Sequence, residues 1–332
     1  MRAVVCRAWG GPEDLKVEDL PLPEPAAGQV LVDVAAAGVN FADTLMIAGK
    51  YQEKPPFPFS PGLEIAGRVR ALGAGVSGLE IGQRVMALTD WGGYAEAALA
   101  RAADVFALPE ALGPELFDWA QAAGFPITYG TAHAALRWHG DVQAGEVLLV
   151  HGAAGGVGLA AVEIGKALGA TVIATAGGAD KLAVAETHGA DHLIDYRSED
   201  IRDRVKEITG GRGADVIFDP VGGDVFDASL RCIAWSGRLL VIGFAAGRVP
   251  QIPANILLVK NIAVMGVYWG SYRRHAPQRL AAEFAELFGW VEAGLLKPHV
   301  SHRLDLGQAG EAMALLLDRR STGKVVLTTG AA

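Results

Sequence analysis

Along the first hundred residues the apolar positions fall in short runs: Met1–Cys6, Val30–Gly38, Glu64–Ala71, Arg84–Leu88 and Gly93–Ala98. Proline and glycine clusters such as Pro21-Leu-Pro-Glu-Pro25 and Pro55-Pro-Phe-Pro58 separate them. Such runs predict the strands of an irregular, partly barrel-like all-β unit. From about residue 122 the period changes. The strand-like runs Val147–Val150, Thr171–Thr175, His192–Ile194, Asp215–Phe218, Arg238–Ile242 and Ile262–Val267 alternate with candidate helices near 156–169, 179–188, 198–208, 222–232 and 253–258. Six strands joined by crossovers predict a doubly wound, parallel six-stranded sheet of the Rossmann kind, so the fold class is α/β. After residue 270 come a long amphipathic helix (about 276–293), a short strand near Val300–Leu304, a helix (307–318) and a last strand, Lys324–Thr328. This tail is too small to stand alone and is expected to pack back on the first unit. The expected organisation is thus 1–122 and 269–332 as one domain, with 123–268 inserted.

The 332-residue length suits two domains. With 51 % hydrophobic and 20 % charged residues, the chain can fill a large core, which excludes wholesale disorder. Twenty-nine basic against 37 acidic residues give a net charge of −8, the wrong sign for a protein that gains its affinity from nucleic-acid phosphates. Cys6 and Cys232, far apart, provide neither a disulfide framework nor a cysteine-based zinc lobe. The apolar stretch before Arg7 is too short for a signal peptide, and no uncharged apolar run approaches ~18 residues. The expectation is a soluble cytoplasmic protein with no membrane partner. Glycine, at 43 residues, runs well above its usual share of roughly 7 %, so tight turns or close backbone approaches are expected.

The most specific local signal is Val147-Leu-Leu-Val-His-Gly-Ala-Ala-Gly-Gly-Val-Gly158, an apolar strand running into glycines and then a helix. It departs from G-x-G-x-x-G at Ala153, where the first glycine would stand, while Gly155 and Gly158 match. Backbone N–H groups at Gly155, Gly156 and Val157 would approach a pyrophosphate, Gly158 would allow close packing, and the helix N-terminus favours the anion. In this strand–loop–helix context the segment predicts dinucleotide binding. NAD sites place a carboxylate at the end of the second strand, but Thr175 and Ala176 occupy that end here. Lys181 lies one turn into the next helix, either meeting a 2′-phosphate or standing solvated, and Asp180 beside it would oppose the phosphate if it turned inward. Charge-assisted hydrogen bonds of ~1.5–3 kcal/mol each would select NADP(H).

Gly38-Val-Asn-Phe-Ala-Asp-Thr44, Pro61-Gly-Leu-Glu-Ile-Ala-Gly67, Ala153-Ala-Gly-Gly-Val-Gly158, Gly189-Ala-Asp-His-Leu-Ile-Asp-Tyr196, Phe218-Asp-Pro-Val-Gly-Gly223 and Gly323-Lys-Val-Val-Leu327 carry a resemblance that runs from end to end. The chain resembles the zinc-free medium-chain dehydrogenase/reductases of the quinone oxidoreductase, or zeta-crystallin-like, family. The resemblance implies a GroES-like catalytic domain beside the Rossmann domain, with the cofactor in the cleft between them. It implies a 2′-phosphate held by Lys181 and Tyr196 and a further cofactor contact from Lys324. It also implies a nicotinamide ribose and amide held by the segment containing Tyr129 and Thr131, and a ledge beside the ring at Gly222, Ile242, Gly243 and Phe244. Asn40, Asp43 and Tyr51 match the residues that line the family's acceptor pocket. The tyrosine usual two residues after the Asp is Leu45, followed by Met46 and Ile47, so a more apolar mouth is expected.

Zinc alcohol dehydrogenases of this superfamily use a Cys after the second β-run and a His-Glu pair after Pro-Gly. Here those positions read Gly38-Val-Asn40 and Leu63-Glu64, and no metal is expected. His188 and His192, four apart, have no third ligand. Without a Lewis acid, the barrier to hydride transfer falls through positioning and through hydrogen bonds to the oxygen that gains charge, so the acceptor should be activated. The expected reaction is direct NADPH reduction of a quinone, without flavin, with Asn40 donating to the oxyanion and Tyr51 ordering or protonating it. Glu64 and Asp43 are expected to form structural ion pairs. Reduction of activated C=C bonds (2-alkenals, 2-haloacrylates, enoyl-CoA) is the alternative. A structural or RNA-binding protein is the third reading. The apolar edge near 261–267 predicts a homodimer.

Overall fold

The computed structural model describes residues 1–330. They form two compact units: Met1–Ile127 with the tail from Pro298 onward, and Thr128–Lys297 between. No helix among the described residues is long and apolar enough to cross a membrane.

The first unit is organised by the strand Gln29–Val39, eleven residues of which only Gln29 and Asp33 are not fully buried. It pairs antiparallel with Glu64–Leu72, Ala97–Arg101 and Lys324–Thr328. The sheet runs Val300–Asp305, Lys324–Thr328, Gln29–Val39, Glu64–Leu72, Arg84–Leu88, Val105–Ala107. The tail therefore does return to the first unit, but later than expected. The helix Pro277–Glu292 belongs to the second unit, because buried Glu283 accepts from Trp269 Nε1 (3.0 Å) and faces His133 Nδ1 (3.1 Å), while Phe284 packs edge-on to Trp269. The strand expected at Gly93–Ala98 starts at Ala97 instead. Gly93 and Tyr94 donate to Gly62 and Pro61, and Tyr94 accepts from Val4, so that stretch is committed to other partners. The helices Phe41–Ile47, Trp119–Ala123 and Pro126–His133 were not expected from the pattern.

The second unit holds six parallel strands in the order His192–Asp195, Thr171–Ala176, Val147–Val150, Ala214–Asp219, Ile233–Val241, Ala263–Gly266. This is the doubly wound arrangement, with the chain reversing its direction of travel at Val147–Val150. All four residues of that strand are buried, as befits a central strand covered on both faces.

Candidate active site

In the second unit the strand Val147–Val150 delivers the chain to His151, whose ring is completely buried. His151 Nε2 lies 2.8 Å from Ser229 Oγ and Nδ1 3.0 Å from Thr175 Oγ1. The Ser229 hydroxyl donates to the Val225 carbonyl (2.8 Å), so Nε2 carries the proton and Nδ1 accepts from Thr175. Burial holds this imidazole below its usual range, and it ties the strand to its neighbours as a neutral group. Thr175, expected against the cofactor, is spent here: its hydroxyl goes to His151 and its carbonyl accepts from Ala153 N (3.0 Å). Ala153, at the first-glycine position, is fully buried.

The loop then turns through Gly152 at φ +58°, Gly155 donates back to Gly152 O (2.9 Å), and the helix Gly156–Ala167 begins. A Cβ on Gly158 would lie 2.2 Å from Gly152 O, so the helix can start this close to the loop only with glycine there. Gly156, Val157 and Gly158 form the first turn, whose N–H groups lack partners within the helix, a ready seat for a pyrophosphate.

The second strand itself ends in Thr175 and Ala176, neither of them an acid; the carboxylate at this turn comes from Asp195 on the neighbouring strand. A Cβ on Gly177 would lie 2.7 Å from Tyr196 Oη and 2.8 Å from Arg197 Nε, so both side chains lie over this glycine. Asp195 Oδ1 fixes the turn by accepting from Arg197 N (3.0 Å) and Gly178 N (3.2 Å). Lys181 is half-buried on the helix Ala179–Thr187, and Asp180 is exposed. The guanidinium of Arg197 beside Gly177 is a cation that suits a 2′-phosphate better than a bare ribose. Arg197 was missed in the sequence; its only signal was its place next to Tyr196.

The ledge residues come together. Ile242 N donates to Asp219 O (2.9 Å) and Ala245 N to Pro220 O (3.1 Å), while Asp219 Oδ1 accepts from Val221 N and Gly222 N. A Cβ on Gly222 would lie 3.1 Å from the Phe244 ring, and Gly243 approaches Pro220 O similarly. Tyr129 behaves differently from expectation. It is buried, its hydroxyl donates to Glu163 Oε2 (2.6 Å), and burial beside that carboxylate pushes the phenol well above its ordinary value. Glu163 Oε1 meets His188 Nδ1 (2.6 Å) and Lys297 N (3.1 Å), so Tyr129 ties two helices together. Thr131, half-buried, follows on the same helix.

In the first unit, Asn40, Asp43, Glu64, Tyr94 and Lys324 converge from four separate segments. Asn40 stands at the N-cap of Phe41–Ile47, and Asp43 Oδ2 accepts from its backbone N (2.8 Å) and from the Tyr94 hydroxyl (2.9 Å). Asp43 Oδ1 is buried without a hydrogen-bond partner, and desolvation raises the carboxyl to about 7. Asp43 is therefore neither a pocket-lining group nor half of an ion pair: it is fully buried and holds the backbone at Asn40. Glu64 does form an ion pair, with Lys324 (2.8 Å). Lys324 Nζ also donates to Val39 O (2.9 Å) and Asn40 Oδ1 (2.8 Å), which uses all three of its donors. In this conformation it has none left for a cofactor, against the expectation. A Cβ on Gly38 would lie 2.3 Å from Glu64 Oε1, so that glycine makes room for the carboxylate. Met46 and Ile47 are core residues; of the three expected at an apolar mouth, only Leu45 is partly exposed. Tyr51 is half-buried against the core.

The donor set does not fit zinc. Asn40 and Glu64 are bound by an ammonium, Leu63 has no donor, both cysteines are buried apart, and among the described residues no His, Cys, Asp and Glu group could hold a metal ion.

A first unit of antiparallel strands with an inserted doubly wound parallel sheet, opened by a glycine loop, is the fold of the medium-chain dehydrogenase/reductase class of oxidoreductases. The family models agree: an alcohol dehydrogenase GroES-like domain matches residues 26–110, and a zinc-binding dehydrogenase matches 156–287. The chain belongs to the quinone oxidoreductase family of that class. It is 44 % identical to quinone oxidoreductase-like protein 2 homolog of Nematostella vectensis over 99 % of this chain and 89 % of that one. It is 37 % identical to the quinone oxidoreductase of Pseudomonas aeruginosa, covering 96 % and 97 %. The crystal structure of Escherichia coli quinone oxidoreductase complexed with NADPH superposes with a TM-score of 0.92 at 32 % identity, covering 99 % of this chain and all of that one.

Proposed function

We propose that the protein is an NADPH:quinone reductase that reduces its acceptor by direct hydride transfer, without zinc or flavin. NADPH, when bound, supplies the hydride from C4 of its nicotinamide. The chain's own residues bind and orient. The glycine loop and the first turn at Gly156–Gly158 seat the pyrophosphate, the shelf of Lys181, Tyr196 and Arg197 selects the 2′-phosphate, and the ledge at Ile242–Phe244 borders the ring. Asn40 is the catalytic residue, giving an amide N–H to the oxygen that gains charge, and Tyr51 orders or protonates that oxygen.

The observation that carries this reading is the amide of Asn40. Its Oδ1 accepts from Lys324 Nζ (2.8 Å) and its Nδ2 donates to Glu64 Oε1 (3.0 Å), so a buried ion pair holds the amide at the position that matches the family's acceptor-lining Asn. Steady-state rates with NADPH and 1,4-benzoquinone should fall on the order of 10²-fold in Asn40→Ala. A kcat/KM within twofold of wild type on every accepted substrate would end this assignment.

Reduction of activated C=C bonds is the second reading, favoured by half-exposed Leu45 where the family's tyrosine is usual. Parallel assays on 1,4-benzoquinone, a 2-alkenone and an enoyl-CoA separate the two. Assembly as a homodimer is supported by the strand Ala263–Gly266, which pairs along one edge with Ile233–Val241, and by Leu258 and Val259 on the preceding helix, each more than three-quarters exposed. Light scattering should give twice the chain mass at micromolar concentration; a monomer contradicts it.

A further inference from the structure

We propose that Lys324 and Glu64 are positioning residues that lock the side-chain amide of Asn40 in one orientation and direct its second N–H toward the acceptor. The inference rests on Asn40 having the role given above and adds the device that aims it.

A primary amide presents two different faces, and its neighbours decide which one points where. Lysine ammonium has donors only and carboxylate acceptors only. Lys324 Nζ lies 2.8 Å from Asn40 Oδ1, and Glu64 Oε1 lies 3.0 Å from Asn40 Nδ2, so turning the amide over would break both bonds and set like against like. The second Nδ2 hydrogen has only the Gly38 carbonyl, at 3.4 Å, beyond the usual 2.7–3.2 Å range. An incoming oxygen that took this hydrogen would have to displace only that long contact. The ammonium on Oδ1 also polarises the amide and strengthens that donor.

The two ions are themselves held. Lys324 fills its third donor with Val39 O, and Glu64 Oε2 accepts from Ile127 N (2.8 Å). They are 6 % and 0 % exposed. A buried ion pair is a weak source of stability beside an apolar pair of the same volume, so its use here is better explained by geometry than by stability. Asp43 and Tyr94 complete the arrangement by fixing the backbone under Asn40.

The test is a double-mutant cycle on the full-length protein with NADPH and 1,4-benzoquinone. Lys324→Met should lower kcat on the order of 30-fold, leave the NADPH Kd from fluorescence titration within twofold, and cost less than twofold more in an Asn40→Ala background. Equal losses in both backgrounds, or a tenfold weaker NADPH Kd with kcat retained, would overturn the proposal. Because Lys324→Met leaves a buried carboxylate unpaired, the charge-free pair Glu64→Leu with Lys324→Met is the second variant. It should fold, with an unchanged circular dichroism spectrum, and be as slow as Lys324→Met; full kcat in the folded pair also overturns the proposal. Asn40→Ala read alone keeps the two ideas apart: if it is silent, the role of Asn40 fails, whereas a slow Asn40→Ala whose loss adds to that of Lys324→Met defeats only the positioning.

Discussion

The two units build their sites by opposite means. In the second unit the proposed cofactor seat is made mostly of backbone: a loop closed on Gly152, a helix start at Gly156, and glycines where side chains would collide. In the first unit the polar cluster is made of side chains from positions 40, 43, 64, 94 and 324, each holding another. A backbone seat is local, so a dozen consecutive residues specify it. A side-chain cluster is assembled by the sheet: Asn40 follows one strand, Glu64 begins the next and Lys324 begins the last, and no spacing in the chain announces their meeting.

This contrast can be broken at several points. The largest effect is expected at Gly158, where Ala would place a methyl 2.2 Å from Gly152 O. Relief requires the loop to move, and overpacking of about 1–3 kcal/mol should weaken NADPH binding by up to on the order of 10²-fold. Isothermal titration measures it; an unchanged Kd would mean that the loop is not the seat.

Asp43 comes next. Its carboxyl rises from an ordinary 3.8 to about 7 on folding, so the folded state holds the proton more tightly than the unfolded one. The stability this group contributes is full below about pH 4 and lost as pH rises through about 7. Asp43→Asn, which does not titrate, should therefore gain about 2–3 kcal/mol on wild type between pH 5 and pH 8. Urea unfolding at the two values checks it; parallel pH profiles would show that Asp43 is not desolvated as described.

The smallest effect should fall on the exposed shelf. Arg197→Ala is expected to weaken NADPH about tenfold while leaving NADH unchanged, with the difference shrinking at high salt. Equal losses for both cofactors would move Arg197 off the 2′-phosphate.

How much of this was legible follows the same division. The six parallel strands, the glycine loop and the missing acid at Ala176 stand in the sequence as local pattern, because apolar runs and glycines report on their own neighbourhood. The failures are residues whose side chains travel. The second strand runs one residue past Thr175, to Ala176, and the Thr175 hydroxyl turns inward to His151. Tyr129 lies in the expected segment, yet Glu163, on another helix, claims its hydroxyl. Lys324 sits in a motif that reads as a cofactor contact, and only the pairing of Lys324–Thr328 with Gln29–Val39 shows that its ammonium reaches Asn40 and Glu64. Tyr94 carried no signal because its partner, Asp43, lies 51 positions away.

The most direct test of the account is a steady-state assay of flavin-free protein with 1,4-benzoquinone and NADPH dideuterated at C4 of the nicotinamide. The account predicts turnover at a rate independent of added flavin or zinc, slowed at least twofold by the deuterium under conditions where chemistry limits. NADPH oxidation that appears only with added flavin, or no turnover on any quinone or enone tried, would contradict direct hydride transfer.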